Sequence, residues 1–404
     1  NSYSYGGLFL NYMAWFQGDA VRKNPNLKPE TTISKEIGAE VRLLDGRLTA
    51  DVTYYDKYTR DQIVESELSY LSNYQRVIIN SGKISNKGWE ISVSGVPVKV
   101  KNFEWKTIFN WSKNNSMVES LPEGIDKIQI GSGVYNVKSY AEVGKPYGAI
   151  YAKTFKRDAE GYILCQLDGS PKEGQDYEYL GCVQADWRGG WNNVFRLGNF
   201  SFSVMFDFQK GGKFFSQTSI QSSVDGQSVK SLEGRDADFF SRKILGESDE
   251  ERYGFMRPQN ANTPTANGQI YPDWGRPKGV VLPNCRYDED VEGLAGQQVL
   301  GYCTPERYWM HYTSRDISRF IYDASYVKLR EITVSYDLPK KWLRKTPFQT
   351  FRVAAVGRNI ATLFANTPHG LDPQATSTTG NAQGFERGFN LPSATYGFDI
   401  KVSF

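Results

Sequence analysis

The sequence contains few of the residues from which catalytic sites are usually built. Its 404 residues include two histidines, His311 and His369, and neither has a spacing typical of a metal site. No Ser/His/Asp arrangement, phosphate-binding loop or dinucleotide fingerprint occurs. There are 45 acidic residues, but no spacing singles out a pair suited to glycosidase chemistry. The sequence therefore predicts a protein that is not an enzyme and has no metal or cofactor.

Long apolar runs and an excess of charge of one sign are also missing. Mean hydropathy is −0.52, and no apolar run approaches the roughly 20 residues that a membrane helix needs. The chain begins at Asn1 without the basic and apolar pattern of a signal peptide. With 48 basic and 45 acidic residues and no basic stripe, the sequence predicts no nucleic-acid partner.

Aromatic residues, in contrast, are abundant. The chain has 25 Tyr, 23 Phe and 9 Trp, which is 14% of its residues. A hydrophilic average with many aromatic residues is typical of an outer-membrane β-barrel, in which a lipid-facing band lies between aromatic girdles.

Alternation of apolar and polar residues with a period of two predicts β-strands. Asp45-Gly46 and Gly198-Asn199 predict tight hairpin turns, and a loss of phase near Arg330-Glu331 indicates a bulge. Residues 76–86 are a candidate extension of the third strand. The nine predicted strands are 34–44, 47–58, 87–96, 103–112, 187–197, 200–210, 324–336, 350–361 and 394–404.

The connections between these strands are alternately short and long. In an antiparallel meander, alternate connections lie on the same side of the sheet, so the large loops share one side, as in outer-membrane barrels. The prediction is an extracellular loop at 1–33 followed by a barrel domain over 34–404. The long extracellular loops are expected at 59–75, 113–186, 211–320 and 362–393.

Nine strands cannot enclose a wide lumen by themselves. We therefore expect an all-β fold that is the C-terminal part of a larger antiparallel transmembrane barrel, whose N-terminal remainder is absent from this chain. One face should meet lipid and the other the lumen. The predicted lumen-facing polar residues are Asp51, Glu90, Glu104, Lys106, Arg188, Asp207 and Lys401.

Several segments carry a resemblance to a known family. They are "NPNLKPETTISKEIGAE" (24–40), "NSGKISNKGWEISVSG" (80–95), "DASYVKLREITVSYDLP" (323–339), "FRVAAVGRNIATL" (351–363) and the final "YGFDIKVSF". Their sequence and order resemble the SusC/RagA group of TonB-linked (TonB-dependent) outer-membrane transporters of Bacteroidetes.

This resemblance implies a barrel of about 22 strands with a plugged lumen, in the outer membrane of a Gram-negative bacterium. It implies import of oligosaccharides or peptides with a SusD-like surface lipoprotein, energised by the TonB complex through the missing N-terminal part. Neither the plug domain nor the TonB-contacting segment is found in this chain. Two alternatives from other classes are a passive porin or adhesin barrel and a soluble carbohydrate-binding β-protein.

The last strand alternates cleanly up to the C-terminal residue. Its apolar set should face lipid and pair the strand with the rest of the barrel, because an open strand edge in lipid leaves backbone groups unpaired. An aromatic C-terminus also resembles the recognition signal of the outer-membrane assembly machinery. The set is Tyr396, Phe398, Ile400, Val402 and Phe404.

The predicted loops contain three further groups of residues. Cys165 with Cys182 and Cys285 with Cys303 could form two local disulfides, or the four could be free or paired crosswise. Asp288-Glu289-Asp290 could bind calcium, although such runs are more often solvated. Aromatic side chains could stack on a sugar or hold a peptide, or they could pack the loop onto itself or onto the lipoprotein. The aromatic candidates for substrate contact are Tyr271, Trp274, Tyr308, Trp309 and Tyr312.

Overall fold

The computed structural model describes most of the chain. The described residues are 4–9, 13–17, 21–67, 74, 76–233, 280–303, 308–368, 370–374, 380, 383–388 and 393–404.

Strands dominate the described residues. Numbered in chain order, they are β1 Ser4–Phe9, β2 Met13–Gln17, β3 Val21–Arg22, β4 Thr31–Leu43, β5 Leu48–Glu67, β6 Arg76–Val100, β7 Phe103–Ser120, β8 Lys127–Ser132, β9 Lys138–Glu142, β10 Ala149–Phe155, β11 Ile163–Cys165, β12 Glu173–Cys182, β13 Trp187–Leu197, β14 Phe200–Lys210, β15 Lys213–Ser216, β16 Val280–Tyr287, β17 Gln298–Cys303, β18 Ile321–Asp323, β19 Tyr326–Asp337, β20 Thr350–Ala365, β21 Phe385–Glu386 and β22 Thr395–Ser403.

Helical segments are few and short. They are α1 Gln217–Val224, α2 Lys340–Leu343, the 3₁₀ turns Val229–Leu232, Thr313–Arg315 and Ile317–Phe320, and the π-helical turn Tyr308–Tyr312. Within the described part of the chain, no helix has the length and apolar character required to cross a membrane.

Nine long strands form one antiparallel meander in the order β4-β5-β6-β7-β13-β14-β19-β20-β22, and β3 pairs with β6 at its side. The prediction of nine alternating strands in an all-β fold is confirmed. The β4–β5, β6–β7, β13–β14 and β19–β20 connections lie at one end of the meander. The β5–β6, β7–β13, β14–β19 and β20–β22 connections start and end at the other.

The strand ends differ from the predicted ones. β5 continues to Glu67 and β7 to Ser120, so the loops predicted at 59–75 and 113–186 start too early. The candidate extension at 76–86 is strand, because β6 begins at Arg76. The alternation of β5 is interrupted where Asp61 takes a φ of 57°, which explains why the pattern ended near residue 58. The loop predicted at 1–33 contains β1, β2 and β3 and the start of β4.

One face of the meander is apolar across all nine strands. Strand register places Tyr54 between Ile37 and Trp89, and it places Trp191 between Phe109 and Phe206. Many of these side chains are exposed in this chain, Ile37 by 74%. A continuous exposed apolar face of this size is expected to contact lipid or another protein.

The opposite face is polar. A row across the sheet joins Glu40, Asp51, Ser92, Asn110, Gly190, Asp207 and Lys328. All seven residues predicted to face the lumen lie on this side of the register. The prediction of the two faces is therefore confirmed at the level of strand register.

Local sequence signals locate the turns and the bulge. Gly198, with a φ of 56°, occupies the predicted two-residue turn, since Leu197 pairs directly with Phe200. At the Asp45-Gly46 turn, four residues connect Leu43 to Leu48. The predicted bulge falls at Arg330, which has no partner between the pairs Met205–Glu331 and Phe206–Leu329. It lets Leu329 and Ile332 share the apolar face although they are three residues apart.

The connections at the long-loop end fold into what we call the loop module, the described residues of 121–186, 211–325 and 366–388. It contains the sheets β12-β10-β9-β8, β11-β16-β17 and β18-β15-β21. One buried cluster surrounds β11, β16 and β17 and includes Phe155, Tyr287 and Trp309. A second surrounds Phe215, Ile220 and the aromatic ring of Phe385, which comes from the last long connection. Segments far apart in sequence thus share common cores.

Candidate functional site

A cleft of about 770 Å³ lies where the loop module meets the polar face of the sheet. Its floor is built by strand residues, among them Arg188, Asp207 and Tyr326, and its roof by loop residues that include Lys213 and Gln374. A second hollow of about 520 Å³ adjoins it further along the polar face and shares Ser112, Arg188 and Asp207. The remaining polar residues that line the second hollow are Asp51, Glu90, Ser92 and Asn110.

The strands position the cleft residues through their register. Arg188 in β13 lies opposite Gln209 in β14, and its Nε donates a hydrogen bond to the Gln209 Oε1 at 3.0 Å. Asp207 lies two residues before Gln209 and therefore projects from the same face. Arg330, two residues after Lys328, also projects from this face, and its guanidinium forms an ion pair with Asp207. The Tyr326 hydroxyl donates to Asp207 at 3.3 Å.

A polar network joins this floor to the last long connection. The amide of Gln374 donates to the Tyr326 hydroxyl at 2.6 Å, and its carbonyl oxygen accepts from Lys328 at 2.9 Å and Arg330 at 2.7 Å. Lys328 is 5% exposed and its ammonium group lies 2.6 Å from the Asp372 carboxylate. Removing one partner would leave a buried charge unpaired, which is costly. The segment 370–374 is thereby fixed onto the wall.

A second buried carboxylate joins the same connection to α1. Glu386 is 3% exposed. It accepts hydrogen bonds from the Ser216 hydroxyl at 2.6 Å, the Thr218 backbone amide at 3.0 Å and the Thr218 hydroxyl at 2.6 Å. These donors stand at the N-terminus of α1, where Ser216 also caps the Ser219 amide, and such a site favours a negative charge. The last long connection is therefore held at two places, to β19 through Lys328 and to α1 through Glu386.

Three of the five aromatic residues predicted to contact substrate are described by the structure, and they lie outside the cleft. Tyr308, Trp309 and Tyr312 are each at most 2% exposed and belong to the core around β16 and β17. The Trp309 indole donates to the Glu233 carbonyl oxygen at 3.1 Å, and burial raises the pKa of Tyr308. In this conformation the three side chains pack the loop onto itself, as the alternative describes. Their contact with a substrate stays a prediction. Tyr271 and Trp274 lie outside the described residues.

The cysteines are arranged differently from the predicted local pairs. All four are thiols in the structure. Cys165 shares a buried cluster with Cys285 and Cys303, and the Cys285 thiol together with burial raises the pKa of Cys165. Cys182 stands in a different sheet, with its sulfur 3.6 Å from the Tyr147 carbonyl oxygen. A Cys165–Cys182 pair does not match this arrangement, because Cys165 lies in the sheet β11-β16-β17 and Cys182 in the sheet β12-β10-β9-β8.

The acidic run Asp288-Glu289-Asp290 is paired with lysines. The Asp288 carboxylate lies 2.9 Å from the Lys156 ammonium and 2.8 Å from that of Lys172, which also pairs with Asp290. Burial disfavours its charged form, but these lysines outweigh the burial and lower the pKa of Asp288 to about 2. Among the described residues no group of three His, Cys, Asp or Glu side chains could hold a metal ion. Calcium in the loops stays a prediction.

The last strand pairs with β20 along one edge. Tyr396, Phe398, Ile400 and Phe404 are between 64% and 86% exposed, and Val402 is half-buried. These side chains continue the apolar face of the meander. Their role in barrel assembly stays a prediction.

Comparison with known proteins agrees with this architecture. Residues 2–360 match the family described as TonB dependent receptor-like, beta-barrel. The chain belongs to this family. The resemblance found in the sequence is therefore confirmed. Receptors of this family are outer-membrane transporters, so the prediction that the chain is not an enzyme is confirmed as well.

Individual receptors of this family show the extent of the similarity. TonB-dependent receptor P3 of Formosa agariphila is 25% identical over 395 residues, which cover 92% of this chain and 33% of that receptor. TonB-dependent receptor SusC of Bacteroides thetaiotaomicron is 29% identical over 104 residues, 26% of this chain and 10% of SusC. The chain thus spans a third or less of the length of these curated relatives.

Among solved structures, that of the RagAB peptide transporter superposes with a TM-score of 0.62 at 16% identity, over 100% of this chain and 38% of the matched chain. A closed state of the RagAB peptide importer gives a TM-score of 0.60 at 17% identity, over 94% of this chain and 36% of the matched chain. At these identities the likeness concerns the fold alone, and it confirms that the meander has the fold of part of a larger antiparallel barrel.

Proposed function

We propose that this chain forms part of the wall of a TonB-dependent outer-membrane importer that takes up oligosaccharides or peptides together with a SusD-like surface lipoprotein. The observation that carries the proposal is the cleft on the polar face, roofed by loops that are pinned to the wall by Lys328 and Asp372. A polar inner face beneath folded loops suits a barrel lumen through which a hydrophilic solute passes.

The chemistry of the cleft suits a substrate with many hydrogen-bonding groups. Arg188 and Lys213 offer donors, Asp207 accepts, and Gln184, Gln209, Gln374 and Gln383 can do both. Peptide bonds and sugar hydroxyls both match such a lining. Import of peptides by RagAB and the name of SusC among the relatives support the substrate class and the lipoprotein partner.

In this mechanism the chain binds and encloses the solute and catalyses no reaction. The apolar face lies in the outer membrane, the loop module faces outwards towards the lipoprotein, and the cleft holds the solute beside the lumen. The TonB complex acts on a plug supplied by the rest of the receptor. Of the alternatives, a passive porin would need no such energy input, and a soluble sugar-binding protein would not place an apolar face in lipid.

Uptake by cells tests the proposal. Cells that express the whole receptor and the neighbouring lipoprotein are given a mixture of oligosaccharides and casein-digest peptides, and depletion of each compound is followed by mass spectrometry. Arg188→Ala removes an exposed cleft donor whose side chain bonds to the half-buried Gln209, and loss of a charged hydrogen bond to the solute should slow uptake roughly tenfold. Lys106→Ala, on the same face but outside the cleft, is the matched control.

Two results would contradict the proposal. Uptake that persists after a protonophore collapses the proton gradient would identify a passive pore. Equal effects of Arg188→Ala and Lys106→Ala would show that the cleft is not the place where the solute binds.

A further inference from the structure

The connection between β19 and β20 carries a concentration of positive charge. We call this connection, residues 338–349, the basic turn. It lies at the end of the meander opposite the loop module and contains no acidic residue. Its basic residues, all exposed, are Lys340, Lys341, Arg344 and Lys345. Within the described part of the chain, no ion pair joins any of them to another residue. The basic turn is therefore a patch of uncompensated positive charge.

The basic turn has a defined shape. At the start of α2, the Trp342 amide donates to the Pro339 carbonyl oxygen at 2.9 Å. After α2, the Thr346 amide donates to the Leu343 carbonyl oxygen, also at 2.9 Å. Leu343 is 7% exposed, whereas the adjacent Trp342 is 59% exposed. One side of α2 is thus held against the protein, and the turn presents an exposed indole together with its positive charges.

The basic turn also continues the apolar face of the meander. The ring centroid of Phe348, near the end of the turn, lies 5.9 Å from that of Phe351 and 5.3 Å from that of Phe404. Phe351 pairs with Val402 on the apolar face, and Phe404 is 76% exposed. The apolar face therefore ends within this connection, and the basic residues belong to the same short segment. This order of an apolar band followed by aromatic and basic residues is typical of a membrane–water interface.

We infer that the basic turn binds the headgroups of anionic phospholipids in the leaflet that borders this end of the sheet. An indole is stabilised at headgroup level, since its ring is apolar and its N–H is a donor. Each Lys or Arg beside an anionic surface favours association by roughly fivefold. A lipid surface fits better than a soluble acidic protein, because the charges adjoin an apolar face that such a protein would leave uncovered. The inference rests on the proposed function only in placing that face in the membrane.

Hydrogen exchange followed by mass spectrometry tests the inference on the whole receptor in lipid nanodiscs. One disc contains phosphatidylcholine alone, and the other contains phosphatidylcholine mixed with phosphatidylglycerol. Peptides that cover 338–349 should exchange at least about fivefold more slowly in the second disc, and added salt should reduce the difference. The β4–β5 connection at the same end balances Arg47 with Asp45, so its exchange should be equal in the two discs.

Two variants that lose the same amount of charge separate this turn from the rest of the surface. The first should abolish the difference between the discs over 338–349, and it combines Lys340→Gln, Lys341→Gln, Arg344→Gln and Lys345→Gln. The second should leave that difference unchanged. It removes four exposed basic residues near the loop-module end through Arg22→Gln, Lys23→Gln, Lys57→Gln and Arg60→Gln.

Other results would overturn the inference. Equal exchange over 338–349 in the two discs would show that the turn does not bind anionic lipid. If soluble periplasmic proteins slowed exchange there while phosphatidylglycerol did not, the patch would be a protein-binding surface instead. A receptor that did not enter the discs at all would count against the proposed function. A receptor that entered them without responding to phosphatidylglycerol would leave the importer role intact.

Discussion

The spanning sheet and the loop module are built from the same kind of strand but are stabilised in different ways. The sheet exposes large apolar side chains on one face, and Phe398 is 86% exposed. The module buries Trp309, Phe215 and Phe385 in cores of its own. The apolar side chains of the sheet can be buried only by lipid or another protein, whereas those of the module are buried against one another. A substitution should therefore be judged by what surrounds each face, and hydrophobicity alone is a poor guide.

The largest expected effect is a cavity in the module. Trp309→Ala should destabilise it by about 3–5 kcal/mol, because a fully buried indole and its packing contacts are lost. Hydrogen exchange followed by mass spectrometry should show faster exchange over β16 and β17. Met310, the next residue, is 50% exposed, so Met310→Ala is the control and should change little. Equal exchange in the two variants would contradict the assignment of Trp309 to a core.

A charge on the apolar face of the sheet should have the next largest effect. Phe206→Arg is expected to cost about 2–4 kcal/mol near the bilayer midplane. Met205 precedes it on the polar face, is 38% exposed and lies opposite Glu331, so Met205→Arg should be tolerated. Folding from urea into lipid vesicles measures both variants. Equal penalties would show that lipid does not contact the face that carries Phe206.

The sequence predicts the two faces of the sheet but not the buried position of Trp309. The two faces of the sheet follow from a period of two, because each strand meets the same two environments along its length. The position of Trp309 does not follow from the sequence, since an aromatic residue can equally stack on a sugar or fill a core. The core that encloses it is completed by Phe155, Ile163 and Cys165, which lie more than a hundred residues away along the chain. No local pattern records such a contact.

The cleft was missed for a similar reason. Lys328 falls at a polar position of β19, which the alternation predicts, but its partner Asp372 belongs to a connection without periodicity. Lys328 and Asp372 meet only because the connection that follows β20 folds back over the polar face of β19. The cysteines show the same effect, because proximity along the chain suggested Cys165 with Cys182, whereas the fold places Cys165 in a buried cluster with Cys285 and Cys303 and Cys182 in another sheet.

The buried ion pair of the module should make its stability depend on pH. The pKa of Asp288 is lowered to about 2 from 3.8, so its contribution is present above about pH 4 and is lost as the pH falls towards 2. Asp288→Asn should cost about 1–2 kcal/mol near pH 6, and the difference from the wild type should vanish near pH 2. Proteolysis in urea at each pH measures this difference. Asp290→Asn is the control, since that side chain is 68% exposed, and a matching loss there would contradict the role of burial.

The smallest effect is expected for an ion pair of the sheet. Lys99 and Glu104 lie 3.5 Å apart beside the 101–102 turn, with side chains 65% and 29% exposed. Solvent screens such pairs, so Lys99→Ala should change the free energy of unfolding by less than about 1 kcal/mol. Unfolding of the barrel in urea measures the change. If Lys99→Ala lowered the free energy of unfolding as much as Asp288→Asn does, ion pairs of the sheet and of the module would contribute equally to stability, contrary to this expectation.

The parallel pairings within the module have a mechanical consequence. β11 pairs with β16, and β15 pairs with β21, so each pairing couples two connections that leave the wall at different places. Backbone hydrogen bonds between them must break before one connection can lift without the other. When the cleft opens, the β7–β13, β14–β19 and β20–β22 connections should therefore move together as one rigid body relative to the spanning sheet. Independent movement of each connection is not expected.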